Sequence, residues 1–412
     1  MGKGEPDPGV EFVDDDPPRP DGPEALGPRR PRRVPRRLRV LILAGAALAA
    51  ATLLTLRETG VGRPAASPTA ATPPPASPPR TAAGHPATGG AITTVRVVDA
   101  GHPLLGGGNW ELFGLGPGVV VRIQPELGRV TATPIPALMS SGPVSFVVTD
   151  AGAIVRPVDV VPGYRVPDGA DPVALTAPFD SGPLFPGPDG HLVWTAGADS
   201  DPDSDPPSLV LLPPDGGPVP GLPQEIALPA GSSPLAANPD GAGYVMVAGV
   251  GGTYDATPDG LRRITTGSVL AGGRTGWLVD ECDDRHRCSL ALVDRADWSR
   301  HPVAVSAAGI DPDRTGLLAP DGAFAAVFAT SAAGAGSRLV VLDLATRSTT
   351  RVTLSGAASP EPGTLAWSPD GRWLFVLHGT GRLAAVDPRT GEVADLGVPL
   401  PPLTRLALRG GE

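Results

Sequence analysis

Lysine is all but missing from this chain: of 33 lysines and arginines together, Lys3 is the only lysine. A P-loop lysine, a Schiff-base lysine or a Ser-Lys dyad needs an ammonium in a folded region, and Lys3 lies in a polar tail, so those chemistries are excluded. Cysteine is scarce as well, with two in 412 residues, which rules out a disulfide-rich scaffold and leaves one pair to account for. The formal net charge of −10 offers no broad basic face for phosphates, and no nucleic-acid partner is expected. Nucleophile and metal motifs are also lacking. There is no Gly-x-Ser-x-Gly and no His-Glu-x-x-His, and Gly114, Gly116 and Gly118 miss the third spacing of a dinucleotide loop.

Glycine and proline are plentiful, at 55 and 53 residues. Without collagen periodicity, such numbers mean many short strands, long unstructured segments, or both. Residues 1–39 read as a disordered cytoplasmic tail, acidic around Asp14, Asp15 and Asp16 and then basic through Arg29, Arg30, Arg32, Arg33, Arg36, Arg37 and Arg39. Val40 to Leu56 carries no charge, and as a helix it is about 26 Å long, just enough for a bilayer core. We expect a transmembrane helix over residues 40–57, oriented with the arginines in the cytoplasm. A cleaved signal peptide is disfavoured by the long preceding segment and the Arg57-Glu58 that follows, and a buried soluble helix by the absence of any polar face. Residues 58–90, rich in Pro and Ala, read as an extended stalk. This places the protein in the cell membrane as a single-pass chain, with the rest of it extracytoplasmic.

Residues 91–412 show short apolar runs between turn signals and no sustained helical period. The clearest unit is Thr364 to Leu396. Its four runs are separated by Pro369-Asp370-Gly371, by Gly379 to Gly381 and by Asp387 to Gly391, each with the chemistry of a tight hairpin turn. The same pattern stands around Pro320-Asp321-Gly322, and looser copies around Pro188-Asp189-Gly190 and Pro239-Asp240-Gly241. One such unit cannot bury both its faces, so the units must stack in a ring. The expected fold is all-β, a seven-bladed β-propeller with six blades as the alternative, preceded by the membrane helix and disordered tails.

These units, above all Leu365-Ala-Trp-Ser-Pro-Asp-Gly-Arg-Trp-Leu374, resemble the TolB-like and WD-repeat-like β-propellers of bacterial envelope proteins. The Trp-Asp dipeptide of the WD subtype does not stand at the unit ends. The resemblance implies a ring closed by strands from both chain ends, with Leu403 to Leu408 and Thr93 to Val98 as candidates for that closure.

Cys282 and Cys288 span a predicted hairpin, and in an oxidising compartment they form a disulfide. Free thiols and a zinc site with His286 are the rivals, but the zinc reading lacks a fourth ligand and the Cys-x2-Cys spacing. Asp199, Asp201, Asp203 and Asp205 suggest calcium, yet Ser204 and Val210 occupy the places where an EF-hand loop needs Gly and Glu. We therefore expect no metal and no cofactor. Both stretches join second and third strands, so in a propeller they share one face. Asp199, Asp201, Asp203, Asp205, Asp283, Asp284, Arg285 and His286 are the candidate binding residues there. His102, His191, His286, His301 and His378 are scattered and read as surface or hairpin residues, while Trp110, Trp194, Trp277, Trp367 and Trp373 read as core between blades.

The expected function is binding or scaffolding of a protein partner through the propeller face, without catalysis. An extracytoplasmic hydrolase or lyase with an axial site is the alternative, and a sensor that signals through its cytoplasmic tail is a third reading. A central pocket with convergent Asp, Glu, His or Arg would favour the enzyme, and an apolar one would disfavour it.

Overall fold

The computed structural model describes residues 94–136, 143–158, 162–176, 183–196, 208–216, 225–229, 232–234, 245–282, 287–305, 309–330 and 337–410. The predicted tail, membrane helix and stalk lie outside these residues. Among the described residues no helix is long and apolar enough to cross a membrane. The chain is all-β there, apart from 3-10 turns at Leu104–Gly106 and Pro188–Gly190.

The strands run in chain order as short antiparallel meanders. The first comprises β1 (Arg96–Asp99), β2 (Trp110–Gly116), β3 (Val119–Gln124) and β4 (Arg129–Pro134). The second is β5 (Val144–Thr149), β6 (Gly152–Pro157), β7 (Tyr164–Val166) and β8 (Val173–Ala174). Next come β9 (Leu184–Pro186), β10 (Val193–Ala196), β11 (Ser208–Leu212) and β12 (Glu225–Ala227). These precede β13 (Ser233–Pro234), β14 (Val245–Gly249), β15 (Gly252–Thr257) and β16 (Gly260–Thr265). Two further meanders are β17 (Ser268–Gly272), β18 (Gly276–Cys282), β19 (Cys288–Asp294), β20 (Arg300–Val303), and β21 (Gly316–Leu318), β22 (Phe324–Thr330), β23 (Ser337–Asp343), β24 (Ser348–Arg351). The last is β25 (Leu365–Trp367), β26 (Leu374–His378), β27 (Arg382–Val386) and β28 (Val393–Ala394), after which β29 (Arg405–Gly410) returns to the start.

Together these strands form a propeller arrangement. Four sheets have four strands and one has five, and each of these five sheets is a separate blade. The remaining sheet has eight strands, because β17 and β21 pair in parallel at Ala271 with Gly316 and Gly272 with Leu317. This corrects the expectation of seven separate blades: five are separate. The physical reason is that these two innermost strands run in the same direction and approach closely enough for backbone hydrogen bonds to join them.

Ring closure also differs from expectation in one half. β29 pairs antiparallel with β2, from Trp110 opposite Gly410 to Leu115 opposite Arg405. β1 takes no part in this and lies outermost, against β4. Its four residues are all exposed, so Arg96 to Asp99 add a fifth strand to the outer edge of the closed sheet.

Apolar clusters join neighbouring meanders around the ring. Leu112 and Val121 meet Phe375 and Leu377, Trp367 and Leu374 meet Phe328 and Val341, and Phe113 and Val120 meet Val148 and Val155. Strands covered on both faces are buried along their whole length, as in β6, where Ala153, Ile154 and Val155 are joined by the buried Arg156. Trp110, Trp194, Trp277 and Trp367 are buried as expected. At one interface the guanidinium of Arg262 lies 4.0 Å from the Trp298 ring centre, Trp298 lies 5.1 Å from Trp277, and Arg295 covers Trp277 at 4.4 Å.

The first hairpins of successive meanders abut on one face of the ring. Asp321 accepts from the Ala323 N–H at 2.9 Å and Asp370 from the Arg372 N–H at 3.0 Å, the Asx geometry that the Pro-Asp-Gly motif predicts. Gly371 sits at φ +66 beside Asp321. We call this the turn face. The connections from second to third strands emerge on the opposite face.

Candidate functional site

Cys282 ends β18 and Cys288 begins β19, directly opposite one another, and the two are bonded as expected. Asp280 has a carboxylate oxygen within 4.8 Å of both sulfurs, and burial raises its pKa, but the sulfurs are committed to each other. The candidate binding residues lie outside the described residues: Asp199, Asp201, Asp203 and Asp205 between Ala196 and Ser208, and Asp283, Asp284, Arg285 and His286 between Cys282 and Arg287. Both connections do join second and third strands, β10 to β11 and β18 to β19.

The innermost strands β5, β9, β13, β17, β21, β25 and β29 have a restricted chemistry. Among the described residues their only ionisable side chains are Arg405 and Arg409, both on β29. Acid–base catalysis needs a titratable group within hydrogen-bond reach of the reacting atom, and no Asp, Glu, His or Cys stands on these strands. The starts of β5, β9 and β29, with residues 361–363 ahead of β25, line a cavity of about 310 Å³ on the face away from the turns, called here the central cavity. Val144, Phe146, Leu184, Phe185 and four prolines supply most of its wall, with Ser145, Glu361 and Arg405 as polar groups. The Ser145 hydroxyl oxygen already accepts the Leu184 N–H at 2.9 Å.

The two arginines of β29 meet opposite circumstances. Arg409 donates through Nε to Glu111 Oε2 at 2.8 Å and through Nη2 to Glu111 and Asp168, while its Nη1 reaches the Thr149 carbonyl at 3.2 Å. Arg122 donates to Glu111 through Nε at 3.0 Å and pairs with Asp168 at 3.1 Å, and Gln124 donates to Glu111 at 2.8 Å. Two carboxylates thus balance two guanidiniums across three strands and a loop. Burial alone would raise the Glu111 pKa. Hydrogen bonding from Arg122, with the attraction and bonding of Arg409, outweighs burial and lowers it.

Arg405, at the other end of the strand, has one hydrogen bond among the described residues, from Nη1 to the neighbouring Thr404 carbonyl at 2.9 Å. No ion pair joins it to Glu361, although both line the central cavity. Arg405 also lines a second cavity of about 340 Å³, between β26–β27 and the strands that close the ring. Ser359, Thr364, Thr380 and His378 line the same cavity.

His378 stands at the β26–β27 hairpin, one of the two roles expected of it, but is buried there. It is 6% exposed, and its Nδ1 has no hydrogen-bond partner among the described residues. Burial, with the nearby charge of Arg382, lowers its pKa. His191 does lie at the surface, paired with Asp150, and His102 and His301 are exposed. Sequence reading passed over Arg405 and Glu361. The available signal was Arg405 and Arg409 at the same phase of a strand already proposed to close the ring.

No family model matches this chain, and no curated protein matches it. Solved structures with a similar fold include a puromycin-hydrolysing peptidase of Mycobacterium tuberculosis, 17% identical over 69% of this chain and 52% of that one, with a TM-score of 0.43. TolB from Acinetobacter baumannii is 12% identical over 69% of this chain and 78% of that one, with a TM-score of 0.34. An oligogalacturonate lyase in complex with manganese is 12% identical over 68% of this chain and 86% of that one, with a TM-score of 0.44. This chain spans about half the length of the peptidase. At such identities and TM-scores the likenesses say nothing of activity, and the propeller arrangement rests on the chain's own sheet topology.

Proposed function

We propose that this chain is a membrane-anchored, extracytoplasmic β-propeller that binds a partner through the face opposite the turns and carries out no reaction. Residues 40–57 would be its single span, residues 1–39 its cytoplasmic tail and residues 58–90 the stalk that lifts the ring clear of the lipid. With the eight-stranded sheet taken as two blades, the ring has seven, a reading supported by apolar clusters that link each meander to the next. A TolB-like binding role fits this architecture.

The observation that carries the proposal is the central cavity. Its wall is mainly apolar and proline-rich, and among the described residues the innermost strands supply no acid–base pair, with Glu361 and Arg405 as the cavity's charged groups, which suits recognition of a ligand more than turnover of one. Val144→Arg would fill the cavity from β5, whereas Asp321→Asn alters the turn face. In crosslinking and capture from native membranes, the first substitution should abolish partner recovery and the second should preserve it. Recovery that survives Val144→Arg, or hydrolysis by the purified chain that Val144→Arg removes, would overturn the reading.

A further inference from the structure

The outer edge of the first blade lacks the guards that the other blades carry. Four of the seven large apolar side chains that are exposed among the described residues lie there: Val95, Val97 and Val98 on or beside β1, and Leu127 in the turn whose Gly128 carbonyl accepts the Ala100 N–H. The other outermost strands have features that keep sheet edges apart. β8 and β28 are two residues long, β20 contains Pro302, β16 presents Arg262 and Arg263, β24 reads Ser-Thr-Thr-Arg, and β12 has Glu225 among its three residues. On β1 one arginine and one aspartate cancel, so this edge is neutral in a chain of net charge −10.

The backbone phase of the edge is fixed by its inner side. Ala100 donates to Gly128, and the β1–β4 register runs from Asp99 opposite Arg129 to Arg96 opposite Ala132. By alternation, Arg96, Val98 and Ala100 bond to β4, while Val95, Val97 and Asp99 point their N–H and C=O groups outward. We infer that this edge pairs antiparallel with the same edge of a second copy, about a two-fold axis at Val97. Val97 then lies opposite its counterpart and Val95 opposite Asp99 in both directions, so every outward residue exchanges hydrogen bonds with another. An axis at Arg96 or Val98 would leave Asp99 or Val95 without a partner on the strand. Valine opposed to valine is a favourable cross-strand pair, each Arg96 stands opposite a Val98, and no like charges are directly opposed. The edge is complementary to itself in bonding phase, shape and charge, as a two-fold interface requires. So short a contact is of the weak, transient class between free molecules, and an anchor in a shared bilayer raises the local concentration at which copies meet. The two chains enter the pair about 13 Å apart along the strands, which suits two stalks rooted in one membrane. The inference goes beyond the partner-binding role proposed above and takes from it only the anchor.

Disulfide trapping of the full-length chain in lipid vesicles tests this register. Opposed Cα atoms at a hydrogen-bonded antiparallel pair are about 5.5 Å apart, within disulfide reach, so Val97→Cys should crosslink to a dimer under mild oxidation. Val98→Cys meets its counterpart only on the diagonal, at about 7–8 Å, and should crosslink at least about tenfold more slowly. Val173→Cys, comparably exposed on β8, should be as slow. Val97→Pro removes only an outward N–H and leaves the ladder to β4 intact. It should raise the dimer dissociation constant about thirtyfold, read by energy transfer between labelled copies in the same vesicles, with thermal unfolding unchanged. Crosslinking of Val97→Cys no faster than that of Val98→Cys or Val173→Cys, or energy transfer that survives Val97→Pro, overturns the pairing. So does a wild type that stays monomeric at every density, which would leave the edge for a foreign strand. Flotation of the vesicles reports the anchor separately. Protein that floats without crosslinking at position 97 overturns the pairing and leaves the anchor standing; protein that stays behind removes the anchor, and the same crosslinking comparison then decides the pairing in that fraction.

Discussion

Arg409 and Arg405 stand on the same strand and, four residues apart, on the same side of it, yet one is saturated and the other unpaired. At the turn face Arg409 is enclosed by Glu111, Asp168, Arg122 and the end of β5. At the opposite face the Arg405 guanidinium donates to its neighbour's carbonyl and lines two cavities, with no carboxylate paired to it among the described residues. The contrast separates two tasks within one strand. One end clamps the ring, and the other is left available.

The contrast can be broken most directly at the clamp. Arg409→Met removes one of the two guanidiniums that Glu111 and Asp168 share, leaving Arg122, and should lower the unfolding free energy by about 3 kcal/mol, whereas Arg405→Met should change it by less than about 0.5 kcal/mol. Urea denaturation measures both, and equal losses would show that the two ends do not differ in role. The clamp should also be acid-sensitive. The folded-state pKa of Glu111 lies below its ordinary 4.5, so its contribution is present above that value and disappears as pH falls through the folded one. Wild type should therefore lose stability below about pH 4.5 more steeply than Glu111→Gln, as followed by thermal unfolding across pH 3 to about 6.

A smaller effect sharpens the other side of the comparison. Replacing Cys282 and Cys288 by Ser should remove about 2 kcal/mol, because the loop they close is short. Hydrogen exchange should show the loss confined to β18 and β19, and faster exchange at β29 would show that the hairpin and the clamp are coupled. The smallest change belongs to the turn face. Gly371→Ala should cost about 1 kcal/mol through backbone strain at φ +66, since an added Cβ would touch Asp321 only at an ordinary 3.5 Å. A neutral result in urea denaturation would mean that the turn relaxes without disturbing its neighbour.

Much of the scaffold was readable from local chemistry. Asp370 and Asp321 announce their hairpins because an Asx turn is settled within three residues, and Cys282 and Cys288 announce their bond because six residues bring them together. The long-range features could not be read in this way. Glu111 and Arg409 are 298 positions apart, and nothing local to either shows that closure will place them opposite one another. The fusion of β17 with β21 was hidden for a related reason, since it depends on how closely two separate meanders approach and not on the turns within each. His378 was read with the other histidines as a surface or hairpin residue, and it does stand at a hairpin, whereas its burial comes from the 356–359 loop laid against it.

The pairing of β2 with β29 also sets a schedule for biosynthesis. At roughly 10 residues per second, a ribosome that has just made Glu111 needs about half a minute to reach Arg409. Throughout that interval the edge of β2 that will receive its partner remains open to any extended chain nearby. A holdase that shields this edge during translation should therefore raise the yield of the protein more than one acting after release.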